Sequence, residues 1–280
     1  MLEANKSEQD WQAHLQLEYS RRPHGTVLSK NQHTGPLLVQ KPLYPEHKEI
    51  CHSYILHPPG GLVQGDCLQL DIDVLENAHA LVTTPAATKF YRCEEKVSKV
   101  IQSISVSEQA KLEWLPQENL LFNESLVNLE TIIKLTPESK FIGWEMLCLG
   151  RKASNEKYTS GSCRQSFEIW RNDEPLYIER SHLSGSQDVM TQPWGLDNKP
   201  VSATMLATNC DKEVLLQVRE IIEEHNEKTS ISVTLKEDLL ICRYLGEQAE
   251  KARSAFAAIW SIIRPITMGY NSHNPRIWST

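Results

Sequence analysis

Cys67-Leu-Gln-Leu-Asp-Ile-Asp-Val74 alternates without a fault. Leu68, Leu70, Ile72 and Val74 fall on one side, Gln69, Asp71 and Asp73 on the other. Successive side chains of a strand point to opposite faces, so this octapeptide predicts a half-buried β-strand. The same period recurs downstream in Val100, Gln102, Ile104 and Val106, and again in Val127, Leu129, Thr131, Ile133 and Leu135. Residues 163–171 and 175–180 flank Asn172-Asp173-Glu174, the composition of a hairpin turn. Strand-like runs continue from residue 25 to 183 with turn residues between them. That spacing leaves no room for the crossover helices of a doubly wound parallel fold and predicts a mainly β architecture.

The pattern changes after Asp211. Val214, Leu215, Val218, Ile221 and Ile222 form a helical apolar face that Asn209 or Asp211 can cap. Residues 230–235 and 239–245 predict a hairpin around Lys236-Glu237-Asp238. A second amphipathic helix is expected over 247–264, with Ala252, Phe256, Ile259, Trp260 and Ile263 on one side and Pro265 as its stop. The Ser/Gly/Pro-rich stretch 184–204 predicts a long surface loop. Neither helix can bury its stripe without the sheet. We therefore expect one domain, 1–280, with a β-rich part 12–183, the loop 184–204, a helix-hairpin-helix 209–264 and a tail 265–280.

Apolar residues make up 40% of the 280 and charged residues 23%, ordinary globular usage that allows a packed core. The net charge of −7 and the absence of a basic block exclude a nucleic-acid footprint. No apolar run approaches the roughly 18 residues of a membrane helix. Residues 1–20 lack the apolar centre of a signal peptide, so a cytoplasmic location is expected. Seven cysteines, an odd number at wide spacing with no Cys-x-x-Cys, read as small buried apolar residues in a reducing compartment.

Several residues could carry chemistry. Gly60-Gly61 and Gly65 resemble a phosphate cradle but lack the Lys-Ser/Thr and the helix of a P-loop, which favours a tight turn. Asp66 after that turn is either a turn cap or a carboxylate facing an interior cavity. Glu145 lies within Phe141-Ile-Gly-Trp-Glu-Met-Leu-Cys-Leu149, the most apolar stretch of the chain. A buried carboxylate there needs a partner, a proton or water. Glu168 and Glu179 lie on the neighbouring hairpin, and Arg151 and Arg180 offer counter-charge, so a buried ion pair and a polar channel both fit. Cys51, His52 and His57 are soft ligands, but no second pair completes a four-ligand site. Lys89-Phe-Tyr-Arg92 suits a binding surface or a solvated strand end. Trp278 beside Arg276 either docks on the body or anchors a partner. No G-x-S-x-G elbow is present.

Six phrases stand in order: His57-Pro-Pro-Gly-Gly-Leu-Val-Gln-Gly-Asp66, Thr88-Lys-Phe-Tyr-Arg92, Leu112-Glu-Trp-Leu-Pro-Gln117, Leu149-Gly-Arg151, Glu174-Pro-Leu-Tyr-Ile-Glu-Arg180 and Pro275-Arg-Ile-Trp278. With Trp11-Gln-Ala13, Gln32-His-Thr-Gly-Pro-Leu37 and Leu43-Tyr-Pro45, they closely resemble the UreD/UreH family of urease accessory proteins over almost the whole chain. The resemblance implies a β-helix-like body with two helices. It also implies a non-catalytic scaffold that joins UreF and the GTPase UreG, docks on apo-urease and passes nickel along an internal water-filled path. A dimer of the accessory complex is a further implied state. No tightly bound cofactor is implied, only transient nickel. The family's path positions match Asp66, Glu145 and Glu179 as metal contacts and Thr88 as a polar lining residue, while Arg276 and Trp278 are expected as partner-binding residues on the aromatic argument above. Some relatives carry Asp at the Glu145 position, the Thr88 position varies between Ser and Thr, and Gly is commoner at the Gln64 position. A different class stays open beside it: a hydrolase or transferase using Asp66, Glu145 and Glu179 as acid and base.

Overall fold

The computed structural model of the chain describes residues 11–224 and 230–279. The expected domain range 1–280 therefore extends beyond the described residues at both ends and at 225–229. Strands dominate. In chain order they are β1 (Gln12–Arg22), β2 (Gly25–Thr34), β3 (Leu38–Val39), β4 (Ile50–Leu56), β5 (Cys67–Val74), β6 (His79–Thr83), β7 (Thr88–Phe90), β8 (Ser98–Val106), β9 (Lys111–Leu115), β10 (Asn119–Leu121), β11 (Leu126–Leu135), β12 (Lys140–Leu149), β13 (Ser162–Arg171), β14 (Glu174–Ser184), β15 (Val201–Ala207), β16 (Ile231–Lys236) and β17 (Leu239–Gly246). Two helices, α1 (Lys212–Glu224) and α2 (Ala249–Thr267), lie in the C-terminal half.

The chain winds as a solenoid. From β5 to β13 it alternates between two sheets, and each strand pairs parallel with the corresponding strand of the next coil. The first sheet runs β14-β13-β11-β8-β5-β1-β2 and the second β16-β17-β15-β12-β9-β6-β4-β3, with β7 and β10 attached beside β12. Antiparallel hairpins close the far ends. The β13–β14 turn is the expected one. Asn172 and Asp173 take φ of 53° and 60°, the double left-handed conformation of a tight hairpin that matches strand twist.

Two cores share the second sheet. In β12, Phe141, Leu147 and Leu149 face the first sheet, whereas Ile142, Trp144, Met146 and Cys148 face the helices. The strand is covered on both sides, which is why its sequence reads as one apolar run instead of an alternation. α1 buries Val214, Val218 and Ile222, and α2 buries Ala252, Phe256, Ile259, Trp260 and Ile263 against that outer face. Asp211 caps α1, accepting hydrogen bonds from the Glu213 and Val214 amides at 2.9 and 3.0 Å.

Two expected boundaries are corrected. The stretch 184–204 is not all loop: Val201–Ala207 is a central strand between β12 and β17. Its alternation is short, with Val201, Ala203 and Met205 towards the helices and Ser202 and Thr204 towards the first sheet, and those small polar residues read as a continuation of the loop. Pro265 does not stop α2, which runs to Thr267. Proline's fixed φ is helical, and near the end of a helix its missing N–H removes one bond without breaking the final turn. The stop comes at Gly269, with φ of 79° and its amide bonded to the Pro265 carbonyl.

Candidate functional site

A polar belt crosses the apolar interior between the sheets. On the inner row of β11, Thr131 interrupts Val127, Leu129, Ile133 and Leu135. Its registered neighbour on β8 is Gln102, and β13 contributes Gln165. On β14, Glu179 and Ser181 lie on the same face as buried Tyr177 and Leu183. From the second sheet, β12, β15 and β17 align Glu145, Thr204 and Arg243 across two antiparallel pairings. Directly paired residues project from the same face, so these three point together towards the first sheet.

Glu145 is the centre of the belt and only 6% exposed. Gln165 Nε2 donates to its Oε2 at 2.7 Å, and Thr131 Oγ1 lies against its Oε1. Neither Arg151 nor Arg180 reaches it; they pair with Glu156 and Glu168. Glu145 is thus held by neutral groups and not by an ion pair. Burial pushes its carboxyl up to about 7; the Thr131 and Gln165 hydrogen bonds oppose this and the charge of Glu179 adds to it. The proton count agrees. Thr131 Oγ1 is also 2.7 Å from Gln102 Oε1, and one hydroxyl proton cannot serve two acceptors. With Gln102 as placed, a protonated Glu145 supplies the second proton.

Glu145 forms a wall shared by two cavities. The larger, about 570 Å³, is also lined by Gln165, Glu179, Thr204, Trp194 and Arg243. The smaller, about 170 Å³, lies within the sandwich and is lined by Thr88, His57, Gln102, Trp114 and Gln117. Glu179 is satisfied on one oxygen by Tyr177 Oη at 2.7 Å and Thr204 Oγ1 at 3.0 Å, while its other oxygen faces Arg243 Nη2 at 3.3 Å.

The expected residues therefore separate. Glu145 and Glu179 meet at the larger cavity, and Thr88 lies in the cavity on the other side of Glu145. Asp66 lines neither. Its Oδ1 and Oδ2 accept the amides of Trp11 (3.2 Å) and Val63 (2.9 Å), which makes it a turn cap that also ties down β1. Gly60 and Gly65 take φ of 79° and 83° in that turn, and a Cβ on Gly61 would lie 2.4 Å from the Tyr91 ring. Cys51 is buried, His52 pairs with Glu46, and His57 lines the smaller cavity. Among the described residues, no group of three His, Cys, Asp or Glu side chains is placed to hold a metal ion. Trp278 docks on the body: its ring lies 5.7 Å from Trp144 and 5.8 Å from Trp260, and its Nε1 donates to Thr83 at 3.0 Å. Arg276 remains exposed.

One cluster escaped the sequence reading. Glu113 and Arg264 are both 0% exposed and are joined by two hydrogen bonds, and Arg264 also binds Glu46. His79 and Trp260 complete the shell of Glu113. Burial alone would push the Glu113 carboxyl up, but His79 and Arg264 hold it at about 2. The available signal was a lone glutamate in Leu112-Glu-Trp-Leu115, the same anomaly as Glu145.

A belt of this kind, on a solenoid with two helices at one flank, can be set beside known proteins. The sequence matches the family described as UreD urease accessory protein over residues 12–279. The chain belongs to the UreD family. A relative from Alcanivorax borkumensis, named urease accessory protein UreD, is 40% identical over 96% of this chain and 92% of its own. Proteins of the same name from Azoarcus sp. strain BH72 and Enterobacter sp. strain 638 are 39% and 38% identical, covering 96% and 99% of this chain and 94% and 98% of theirs. Membership in UreD spans both sheets, both helices and every residue of the belt. Among the described residues, no helix is long and apolar enough to cross a membrane.

Proposed function

We propose that this chain is a non-catalytic urease maturation factor. It joins UreF and UreG in a complex, docks on apo-urease in the cytoplasm, and conveys nickel along its interior polar belt towards the nascent active site. The observation that carries this reading is Glu145: a carboxylate with no cationic partner among the described residues, shared by two cavities, in a chain that matches the family over residues 12–279.

The chemistry supports passage more than storage. Glu145 and Glu179 offer hard oxygen atoms, and Thr131, Thr204 and Gln165 offer neutral ones. The lining of the larger cavity holds two carboxylates and, among the described residues, no histidine or cysteine, a set that binds a borderline cation such as Ni²⁺ weakly and exchangeably. The alternative, an acid–base hydrolase or transferase built on Asp66, Glu145 and Glu179, has less support. Both Asp66 oxygens are taken by backbone amides away from the other two carboxylates. The reading is tested in cells that make urease but lack this chain. Urease should accumulate assembled, nickel-poor and inactive, and expression of the chain should restore its nickel. Normal nickel content without the chain at ordinary nickel supply removes the proposal.

A further inference from the structure

Glu179 has one oxygen already spoken for. Tyr177 and Thr204 both donate to Oε2, and these donors sit on strands of different sheets, so that oxygen is fixed. Oε1 has a different partner. Arg243 reaches it from β17 with Nη2 at 3.3 Å, and the same nitrogen donates to Tyr177 Oη at 2.9 Å. The oxygen that could meet an incoming cation is the one that Arg243 covers.

Its surroundings make Arg243 a movable group. The side chain is 53% exposed and lines the larger cavity, whose outer part is open. An ion pair that is half in water is weak, because solvent screens it and hydrates the released guanidinium. Glu145, by contrast, has no such cation among the described residues and lies deeper. The registered row Glu145–Thr204–Arg243 thus runs from a buried carboxylate to a solvated guanidinium, with Glu179 facing it from the first sheet. Facing the pair from the packed elements are Gln165 and Cys163 of β13, Tyr177 of β14, Ser232 of β16 and Thr204 of β15.

We infer that Arg243 is a resident counter-cation which keeps Glu179 neutralised, and that a divalent cation reaches the Glu145–Glu179 pair only by displacing the guanidinium into solvent. This rests on the proposed nickel route. Arg243 sets the affinity of its outer end: a monovalent ion gains little over the arginine it must replace, while a divalent ion gains from both carboxylates once the Glu145 proton has passed to solvent through the larger cavity. It also supplies the means of release, since the guanidinium can return to Glu179 as the cation moves on. Arg243 is a specificity-determining residue here and is not itself a ligand.

The test is calorimetric titration of NiCl₂ into the full chain, comparing wild type with Arg243→Met, Arg243→Lys, Glu145→Gln and Glu179→Gln. Removing the competing charge should tighten Ni²⁺ binding about ten-fold in R243M, the equivalent of about 1.4 kcal/mol. R243K, which keeps the charge, should remain within about two-fold of wild type. A purely structural role would instead weaken R243M. Unchanged or weaker binding in R243M, with E145Q and E179Q weakened, overturns the counter-cation inference and leaves the route standing. Equal binding in E145Q, E179Q and wild type removes the route, and the inference with it. If R243M does not fold, Arg243→Gln, which can still donate to Tyr177, is read by the same criteria.

Discussion

Arg264 grips both carboxylate oxygens of Glu113, with Nε 2.8 Å from Oε2 and Nη2 3.0 Å from Oε1. The pair joins α2 to β9, and Arg264 continues to Glu46 before β4. No part of either side chain meets water. Losing one partner of such a pair strands a buried charge. Arg264→Met should therefore cost about 3–5 kcal/mol of stability, read by urea unfolding. The double variant with Glu113→Gln should recover part of that loss. A cost below about 1 kcal/mol would show that the network is dispensable.

Acid should weaken the fold through the same cluster. The folded Glu113 carboxyl titrates at about 2, against 4.5 for an ordinary glutamate, so its contribution is complete above 4.5 and drains as pH falls towards 2. Buried His79 is also lowered from 6.5 and adds a loss in the same direction, starting as pH falls below that value. The urea midpoint should fall steadily between pH 6.5 and pH 3. Glu113→Gln should flatten the lower part of that curve; an unchanged slope would remove Glu113 from the account.

Glu145 has the opposite sign. Its folded carboxyl titrates at about 7, above the ordinary 4.5, so folding is penalised increasingly as pH rises from 4.5 through 7. Glu145→Gln should be nearly neutral at pH 4.5 and stabilising at pH 8, by at most about 3 kcal/mol. Thermal unfolding of both forms across that range measures it. A constant difference would mean that the carboxylate is hydrated or paired in solution.

Asp66 and Glu145 should separate in cells. Asp66→Ala removes an acceptor from two amides, which should cost about 1–3 kcal/mol. Its effect on urease nickel should track the amount of folded protein. Glu145→Ala should lower urease nickel well beyond any loss of folded protein or of co-purifying partners. Proportional losses in both variants would make both residues structural.

Trp278→Ala should destabilise the chain by about 1–3 kcal/mol, because a partly buried indole packed against Trp144 and edge-on to Trp260 is lost. Pull-down of partners by the folded fraction should be preserved. Loss of partner binding at unchanged stability would instead make Trp278 an anchor for a second protein.

The strands with one wet face were legible because their side chains alternate, and Cys67–Val74 is the clearest. Val201–Ala207 was not, since its alternation is short and its inward residues, Ser202 and Thr204, are small and polar like the loop that precedes them. The polar belt left a faint trace: Gln102 and Thr131 stand on the apolar side of otherwise clean alternations. That trace gains meaning only when neighbouring coils bring them into register. Glu145 stood out because a charge in an apolar run is costly. Arg264 did not, because an arginine near a helix end is ordinary until its carboxylates, 151 and 218 residues earlier, are seen beside it.

That last separation bears on the order in which the chain can mature on the ribosome. Synthesis delivers the coils from the N-terminus, and domains tend to fold as they emerge. Glu46 and Glu113 come out first, yet the guanidinium that neutralises them follows 218 and 151 residues later. Until then, the outer face of the second sheet has neither its counter-charge nor its helical cover. The nascent solenoid should wait, half-closed and sticky, for α2, and a chain truncated before Arg264 should be cleared by proteolysis instead of persisting as a shorter solenoid.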